Sequence, residues 1–206
     1  MACCHSFIID NNGKKEYNVY IEGGRMFRFD KNVILETEHL ILRFIDVNDH
    51  LAIYNNVSHD KEVLKYFFMN YQENVDEDVV RRIINFALKN ERYVFSIILK
   101  ETNEVIGFCL QCSSPSKQMN TVEVGYAIGK KYWNNGYGTE CLQALINFMF
   151  SLGVHKVIAN HIVENTASGR IMEKCHMIYQ GTLIDEIYYH DEYHDCKSYY
   201  IINPND

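Results

Sequence analysis

One stretch in the second half of the chain limits the fold most, because a strand, a loop and a long helix follow one another there without a spacer. Alternating apolar residues predict a strand over Thr121–Ile128. A dense apolar run predicts a helix over Thr139–Leu152, which ends at Gly153. The loop between the two contains Gly136 and Gly138. This unit is typical of the α/β class, in which helices pack on the sheet that they interrupt.

The remaining pattern predicts one sheet with helices packed on it. Further strands are predicted at Leu40–Ile45, Tyr93–Leu99, Val105–Cys112, Lys156–Ile162, Ile178–Ile184 and Ser198–Ile202, and further helices at Asp46–Val57, Asp76–Asn90 and Thr166–Cys175. Three of the strands follow one another as a meander, which implies antiparallel pairs. The predicted fold is therefore mixed α/β around one sheet and not a strict parallel ladder.

The first 32 residues form a segment of their own. Two apolar runs, Ser6–Ile9 and Tyr17–Ile21, flank Asn11-Asn12-Gly13. Asn-Gly between apolar runs is a strong hairpin signal, because both residues tolerate positive φ. We expect an N-terminal β-hairpin extension over 1–32 and one domain over 33–206. The sequence leaves open whether the hairpin packs on that domain or on a second copy of the chain in a homodimer.

Charge and composition exclude several kinds of protein. The chain has 27 acidic and 20 basic residues, which gives a net charge of −7. Because this charge repels phosphate backbones, we expect no nucleic-acid partner. An acidic surface suits a cationic partner such as an amine. No apolar run approaches the roughly 20 residues that a membrane-spanning helix requires, and no signal peptide is visible. We therefore expect no membrane association and a cytoplasmic protein whose seven cysteines, Cys109 and Cys112 included, are reduced thiols.

The glycine loop suits an anion, because the first turn of a helix has unpaired N–H groups and a partial positive charge. A Walker A loop requires Lys and Ser or Thr after its last glycine, and Thr139-Glu140 excludes it. A dinucleotide fingerprint requires Gly or Ala where Cys141 stands and an acid near Asn160, so a nucleotide-binding oxidoreductase is the weakest alternative. From these residues alone, an anion site and a plain tight turn stay equally open.

Four motifs, through the family that they resemble in this order, favour the anion site over a plain tight turn. They are Leu35–Arg43, Val105-Ile106-Gly107, Glu123-Val124-Gly125-Tyr126 followed by Trp133-x-x-Gly136-Tyr137-Gly138-Thr139-Glu140, and Asn165-x-x-Ser168-x-Arg170-x-Met172-Glu173-Lys174. Together they resemble the GNAT superfamily of N-acetyltransferases, and within it the ribosomal-protein-alanine acetyltransferase-like branch. The resemblance covers about residues 33–203 and leaves the hairpin segment outside.

The resemblance implies the chemistry and the residues of the site. It implies direct transfer of an acetyl group from acetyl-CoA, without a metal, to a primary amine of a small molecule or of a protein N-terminus. The sheet is expected to splay after Gly125, and Glu123 is the candidate general base, with an ordinary ion pair or exposure to solvent as the alternative. The implied cofactor-binding residues are Tyr126, Ala127 and Ile128 on the strand, Trp133, Asn134, Asn135, Gly136, Tyr137, Gly138 and Thr139 in the loop and helix, and Asn165 and Ser168 after the next strand.

Two departures from the family pattern affect catalysis. Met172 stands where many relatives have Tyr, so the acid for the leaving thiolate is not assigned, with Tyr137 and Tyr199 as substitutes. His176 stands where relatives have Gly, so we expect a helix end with a side chain in the left-handed region. These departures motivate an alternative function, a catalytically weak acyl-CoA-binding or interaction module.

The acidic stretch Asp185–Cys196 allows three interpretations. His190, His194 and Cys196 are of the types that bind metal. The favoured interpretation is a polar hairpin tip between the last two strands. A third is that its five acids attract a cationic amine substrate.

Overall fold

The computed structural model describes residues 6–9, 15–21, 25–66, 75–89, 92–113, 120–189 and 191–206. Near the N-terminus, strands β1 (Ser6–Ile9), β2 (Lys15–Ile21) and β3 (Arg25–Arg28) form an antiparallel three-stranded sheet in that order. The two predicted strands pair, and a third that was not predicted joins them. The predicted turn at 11–13 lies outside the described residues, and the division of the chain at residue 32 stays a prediction.

An eight-stranded sheet forms the rest of the frame. Its strands are β4 (Ile34–Glu36), β5 (Leu40–Phe44), β6 (Val94–Leu99), β7 (Glu104–Gln111), β8 (Thr121–Ile128), β9 (Lys156–Ile162), β10 (Ile178–Tyr189) and β11 (Glu192–Ile202). The spatial order is β10-β11-β9-β8-β7-β6-β5-β4. The β8–β9 pair is parallel and the other neighbours are antiparallel, which confirms the mixed α/β prediction.

Helices cover both faces of this sheet. They are α1 (His50–Ile53), α2 (Lys61–Leu64), α3 (Glu77–Lys89), α4 (Tyr137–Ser151) and α5 (Thr166–Lys174). The apolar face of α4 packs with the sheet in the largest core cluster, and α1 and α3 form a second cluster with the other side of β6. Every residue of β6 is buried, which explains its unbroken apolar run. None of the described helices has the length and apolar character needed to cross a membrane.

The predicted helix over Asp46–Val57 is wrong as one element. The chain there forms a 3-10 turn at Val47–Asp49, then α1, then a wider π-type turn at Tyr54–Ser58. The buried Asp49 carboxylate accepts hydrogen bonds from Arg43 (2.8 and 2.6 Å) and Ser96 (2.6 Å). The Ser96 bond spans 47 positions, which periodicity does not show, and together with the Arg43 bonds it fixes the tight turn before α1.

The sheet splits between its two parallel strands. Pairing of β8 with β9 ends at Glu123 and Ile158, two residues earlier than the predicted splay after Gly125. Farther along, β9 continues to pair with β11 as far as Ile162, and β8 continues to pair with β7 as far as Ile128. The two strands therefore diverge and leave a gap in the middle of the sheet.

The final hairpin is longer than predicted. The pairs Leu183–Cys196 and Ile187–His194 belong to the β10–β11 ladder, so most of the stretch predicted as a polar tip is strand. A bulge between Leu183 and Ile187, where Asp185 has φ 52°, breaks the alternation by which a strand is recognised. His190 lies outside the described residues, and within those ranges no group of three His, Cys, Asp or Glu is arranged to hold a metal ion.

Candidate functional site

A cavity of about 400 Å³ lies at the split in the sheet. Val63 and Tyr66, in and after α2, line it from one face, and Ala167 and Ile171 of α5 line it from the other. The cavity therefore passes through the gap between β8 and β9. The predicted site residues that line it are Tyr126, Ala127, Ile128, Trp133, Asn134, Gly136, Tyr137, Gly138, Thr139, Asn165 and Ser168.

One end of the cavity is formed by the start of α4. Gly136 is the N-cap residue, with φ 84°, and no side chain of the described ranges caps the helix. Asn134 is also left-handed, with φ 64°. The amide N–H groups of the first turn thus lack a side-chain acceptor at the point where the macrodipole is positive. This arrangement can hold a phosphate or diphosphate group.

Two loop residues hold this turn in place. The Asn135 amide nitrogen donates to the carbonyl oxygens of Tyr132 (3.2 Å) and Trp133 (3.1 Å). Asn135 is not among the residues that line the cavity, so its observed contacts are with the loop itself. The Trp133 indole Nε1 donates to the carbonyl oxygen of Ile128 at 2.7 Å, while 41% of the residue stays exposed. Trp133 therefore ties the loop to the end of β8.

The open edge of β8 can be read from its bonds to β7. Gly129 N–H donates to Ile106 O (2.9 Å) and Cys112 N–H donates to Glu123 O (2.7 Å). Because main-chain groups alternate along a strand, odd-numbered residues of β8 face β7, and Tyr126 and Ile128 face the gap. Ala127 thus directs its main-chain groups to β7.

A pair of hydroxyl groups bridges the gap on the α5 side. The Tyr126 hydroxyl lies 2.9 Å from Ser168 Oγ, and burial raises the pKa of Tyr126. Asn165 is the N-cap of α5, and its side-chain oxygen accepts from Ser168 N–H at 3.3 Å. The Asn-x-x-Ser spacing is typical of such a cap. The hydroxyl pair was not predicted, because its members are 42 positions apart.

Glu123 lies at the last β8–β9 pair, on the sheet face opposite Tyr126. Its carboxylate accepts from Asn160 Nδ2 at 3.0 Å. Burial raises the pKa of Glu123 and the charge of Glu186 raises it further, while the Asn160 hydrogen bond lowers it. Glu123 does not line the cavity and stands three residues before Tyr126, about 10 Å along the strand.

The candidates for a proton donor fall in different places. Met172 is 1% exposed and belongs to the core. Tyr199 is buried, and its hydroxyl donates to Glu173 at 3.3 Å outside the cavity. Tyr137 does line the cavity. His176 has φ 59°, which confirms the left-handed helix end predicted from the missing glycine.

Sequence comparison identifies the fold family of this site. Residues 39–178 match the family model of the acetyltransferase (GNAT) domain. The chain belongs to the GNAT acetyltransferase family. It is similar to the uncharacterized N-acetyltransferase p20 of Bacillus licheniformis, with 32% identity over 73% of this chain and 85% of that relative. More distantly, it is 21% identical to the spermidine N(1)-acetyltransferase of Vibrio cholerae over 79% of this chain and 92% of that protein.

Solved structures share the fold of this GNAT acetyltransferase. An acetyltransferase of the GNAT family from Bacillus anthracis superimposes with a TM-score of 0.73 at 28% identity, covering 83% of this chain and 99% of the other. RimL, a ribosomal L7/L12 alpha-N-protein acetyltransferase in complex with coenzyme A, superimposes with a TM-score of 0.75 at 20% identity, covering 84% and 100%. At 20% identity, the similarity to RimL shows a shared fold and nothing more.

The acid in the first turn of α4 of this GNAT acetyltransferase is turned away from the cavity. Glu140 accepts hydrogen bonds from Thr37 Oγ, from His39 N–H (2.7 Å) and from His39 Nδ1 (3.0 Å). Although burial acts to raise it, these bonds hold the pKa of Glu140 below its usual value, and the bond to Glu140 raises the pKa of His39. As a result, no Asp or Glu of the described residues lines the cavity.

Proposed function

We propose that this acetyltransferase transfers an acetyl group directly from acetyl-CoA to a primary amine. The observation that supports this most strongly is the cavity that passes through the split sheet, has no acid among its described lining residues and ends at the uncapped start of α4. One end of it suits a diphosphate, and the other opens on both faces of the sheet. A donor and an acceptor can therefore meet in the gap from opposite sides.

The residues present fit coenzyme A. The amides from Asn134 to Thr139 would hold the diphosphate, because they combine left-handed residues with a free helix start. The main-chain groups of Tyr126 and the N–H of Ile128 would pair with the amide groups of the pantetheine arm as a neighbouring strand would, while the Ile128 carbonyl oxygen accepts from Trp133. Asn165 and Ser168 would lie at the thioester end, beside the gap.

Transfer to an amine requires removal of a proton. An alkylammonium has a pKa of about 10.4, so roughly one molecule in 2,500 is the neutral nucleophile at pH 7. Glu123 is our proposed base, since burial brings its pKa nearer to neutral pH and it lies at the mouth of the gap. A chain of water molecules would relay the proton across the remaining distance. The Tyr126–Ser168 hydroxyl pair is our proposed source of the proton that the leaving thiolate takes up.

Two classes of amine are candidates for the acceptor substrate. A relative is named for spermidine and a structural neighbour for a ribosomal protein, so a small polyamine and a protein N-terminus both belong in the test. The charges of Glu123 and Glu186 on the acceptor side favour a cationic amine. We also propose a cytoplasmic location, where the five described cysteines would stay free thiols.

The test is release of coenzyme A thiol from acetyl-CoA in the presence of a panel of amines. The panel contains polyamines, amino acids, aminoglycosides and peptides with free N-termini, and the background is hydrolysis without an acceptor. Turnover with any amine supports the proposal. Binding of acetyl-CoA without turnover on the whole panel favours the alternative of a binding module, which the buried Met172 motivates.

A further inference from the structure

Two positive side chains stand in the wall of the cavity. Arg170 and Lys174 of α5 both line it, in a chain whose acids outnumber its bases by 27 to 20. Residues four apart on a helix lie on the same face, so the two cations form one patch. In the described part of the chain, no carboxylate lies within ion-pair distance of either side chain, and both residues are exposed. This patch is absent from the site residues that the sequence predicted.

Helix α5 runs along the cavity. It extends from the end where the thioester is proposed to lie to the end formed by the start of α4. Ser168 contacts Tyr126 near the gap. Ile171, about 4.5 Å farther along the helix axis, lies against Gly138. At the end of α5, Cys175 Sγ lies 3.4 Å from the carbonyl oxygen of Thr139. Lys174 therefore stands beside the first turn of α4, on the far side of the diphosphate cradle from the gap.

A second groove continues outward from this point. It lies between β4 and α4 and shares Gly136, Thr139 and Lys174 with the cavity. Of the residues that the structure describes, two acids line this groove, and both already have partners. Glu36 pairs with Lys100 at 3.5 Å, and Glu140 is held by Thr37 and His39. The positive charge of Lys174 at the junction is thus not matched by a free acid of the groove.

Coenzyme A has two separate anionic groups, a diphosphate and a 3′-phosphomonoester on the ribose. The ribose lies on the side of the diphosphate opposite the pantetheine arm, which is the side on which Lys174 stands. We propose that Arg170 and Lys174 form a second phosphate subsite that binds the 3′-phosphate and selects coenzyme A over 3′-dephospho-coenzyme A. This inference rests on the proposed function, because it requires the diphosphate at the start of α4.

The chemistry of the two side chains suits a phosphomonoester. Arg presents a planar fork that binds two phosphate oxygens, and Lys adds a point charge. Because both are exposed, each contact is expected to change affinity by no more than about fivefold. The preference should also shrink as salt rises from about 0.05 to 0.5 M, because exposed charges are screened.

The experiment measures the dissociation constants of coenzyme A and 3′-dephospho-coenzyme A by isothermal titration, with no acceptor and no turnover. The variants are Arg170→Gln, Lys174→Gln and the double variant, with Lys174→Arg to keep the charge. Lys89→Gln and Arg82→Gln, on exposed positions of α3 on the other face of the sheet, are the matched controls for net charge.

The expected result is a preference of about fivefold or more for coenzyme A in the wild-type protein, in both control variants and in Lys174→Arg. That preference should fall toward one in the double variant, with little change in the affinity for 3′-dephospho-coenzyme A. A wild-type protein without preference, or a double variant that keeps it, would overturn the subsite. Failure of the proposed function looks different, because neither compound would then bind.

Discussion

Gly138 lies so close to Ile171 that a Cβ built on the glycine would stand 2.7 Å from Ile171 Cδ1. This contact sets the distance between the first turn of α4 and the middle of α5, which are two walls of the cavity. The width of the cavity at the proposed diphosphate site therefore depends on a residue without a side chain. A larger residue at this position would meet Ile171 Cδ1, the end of a flexible side chain, which would have to turn aside.

In Gly138→Ala, the end of the Ile171 side chain should turn away from the new methyl group and narrow the space between α4 and α5. Because a flexible side-chain end can give way, the cost should lie at the low end of the overpacking range, about 1 kcal/mol, and we expect that loss in the free energy of unfolding together with weaker binding of coenzyme A. The double variant Gly138→Ala/Ile171→Val removes the clashing methyl group and should recover part of both. Chemical denaturation and titration calorimetry measure the two effects. Equal losses in the single and double variants would contradict the contact.

Trp133→Phe should loosen the loop without unfolding the protein. The change removes the indole donor to the Ile128 carbonyl, and because the residue is partly exposed the cost in stability should be about 0.5–1.5 kcal/mol. We expect several-fold weaker binding of coenzyme A. Tyr132 lies in the same loop, and Tyr132→Phe loses a hydrogen bond to Glu104 of β7. This variant is the control and should keep its affinity for coenzyme A. Equal affinities in the two variants would remove the role of Trp133.

The Glu140–His39 pair predicts a pH dependence of stability. The pKa of Glu140 is lowered from 4.5, so its contribution is present above that pH and is lost as the pH falls through the lowered value. The pKa of His39 is raised from 6.5, so its contribution is present below that pH and is lost as the pH rises through the raised value. The pair therefore contributes fully between about pH 4.5 and 6.5.

The measurement is the melting temperature of the wild-type protein and of His39→Gln between pH 4 and 9. The difference between them should be largest in that window and should decline toward alkaline pH. His59→Gln, which removes another exposed histidine, is the control. A difference that is flat over the whole range would show that the charge of His39 contributes nothing.

Glu123→Gln should lower the turnover number by about 100-fold or more and leave the affinity for coenzyme A unchanged. The acid limb of the pH–rate profile, which reports the raised pKa of Glu123, should disappear. Glu186→Gln tests the cause of the shift, because it removes a charge that raises this pKa. The acid limb of the pH–rate profile of Glu186→Gln should move to lower pH, and turnover at pH 8 should equal that of the wild type. A profile of Glu123→Gln that matches the wild type would exclude Glu123 as the base.

Local patterns predicted the long elements well. The helices α3 and α4 and the strand β8 were found within two residues, because each combines clear periodicity with a cap or turn at its end. The short elements were not predicted well. The segment around α1 depends on Asp49, whose partners Arg43 and Ser96 lie on two strands of the sheet. Sequence separation hides such partners from any pattern that spans a few residues.

The same limit applies to the site. The loop from Trp133 to Thr139 was predictable, because its glycines and the helix that follows are contiguous in sequence. The Tyr126–Ser168 pair and the place of Lys174 at the junction of two grooves depend on how α5 lies across β8 and α4. That packing angle is a tertiary property, and the motif around Asn165 gave only the identity of the residues.

The most direct test of the whole account is titration calorimetry of coenzyme A with the wild-type protein, Gly138→Asn and Gly138→Asp. The two variants add side chains of nearly equal size and differ in charge. We predict one binding site in the wild-type protein, weaker binding in Gly138→Asn, and no detectable binding in Gly138→Asp, whose carboxylate would stand in front of the helix amides. No binding by the wild-type protein, or equal affinities in the two variants, would contradict a diphosphate at the start of α4.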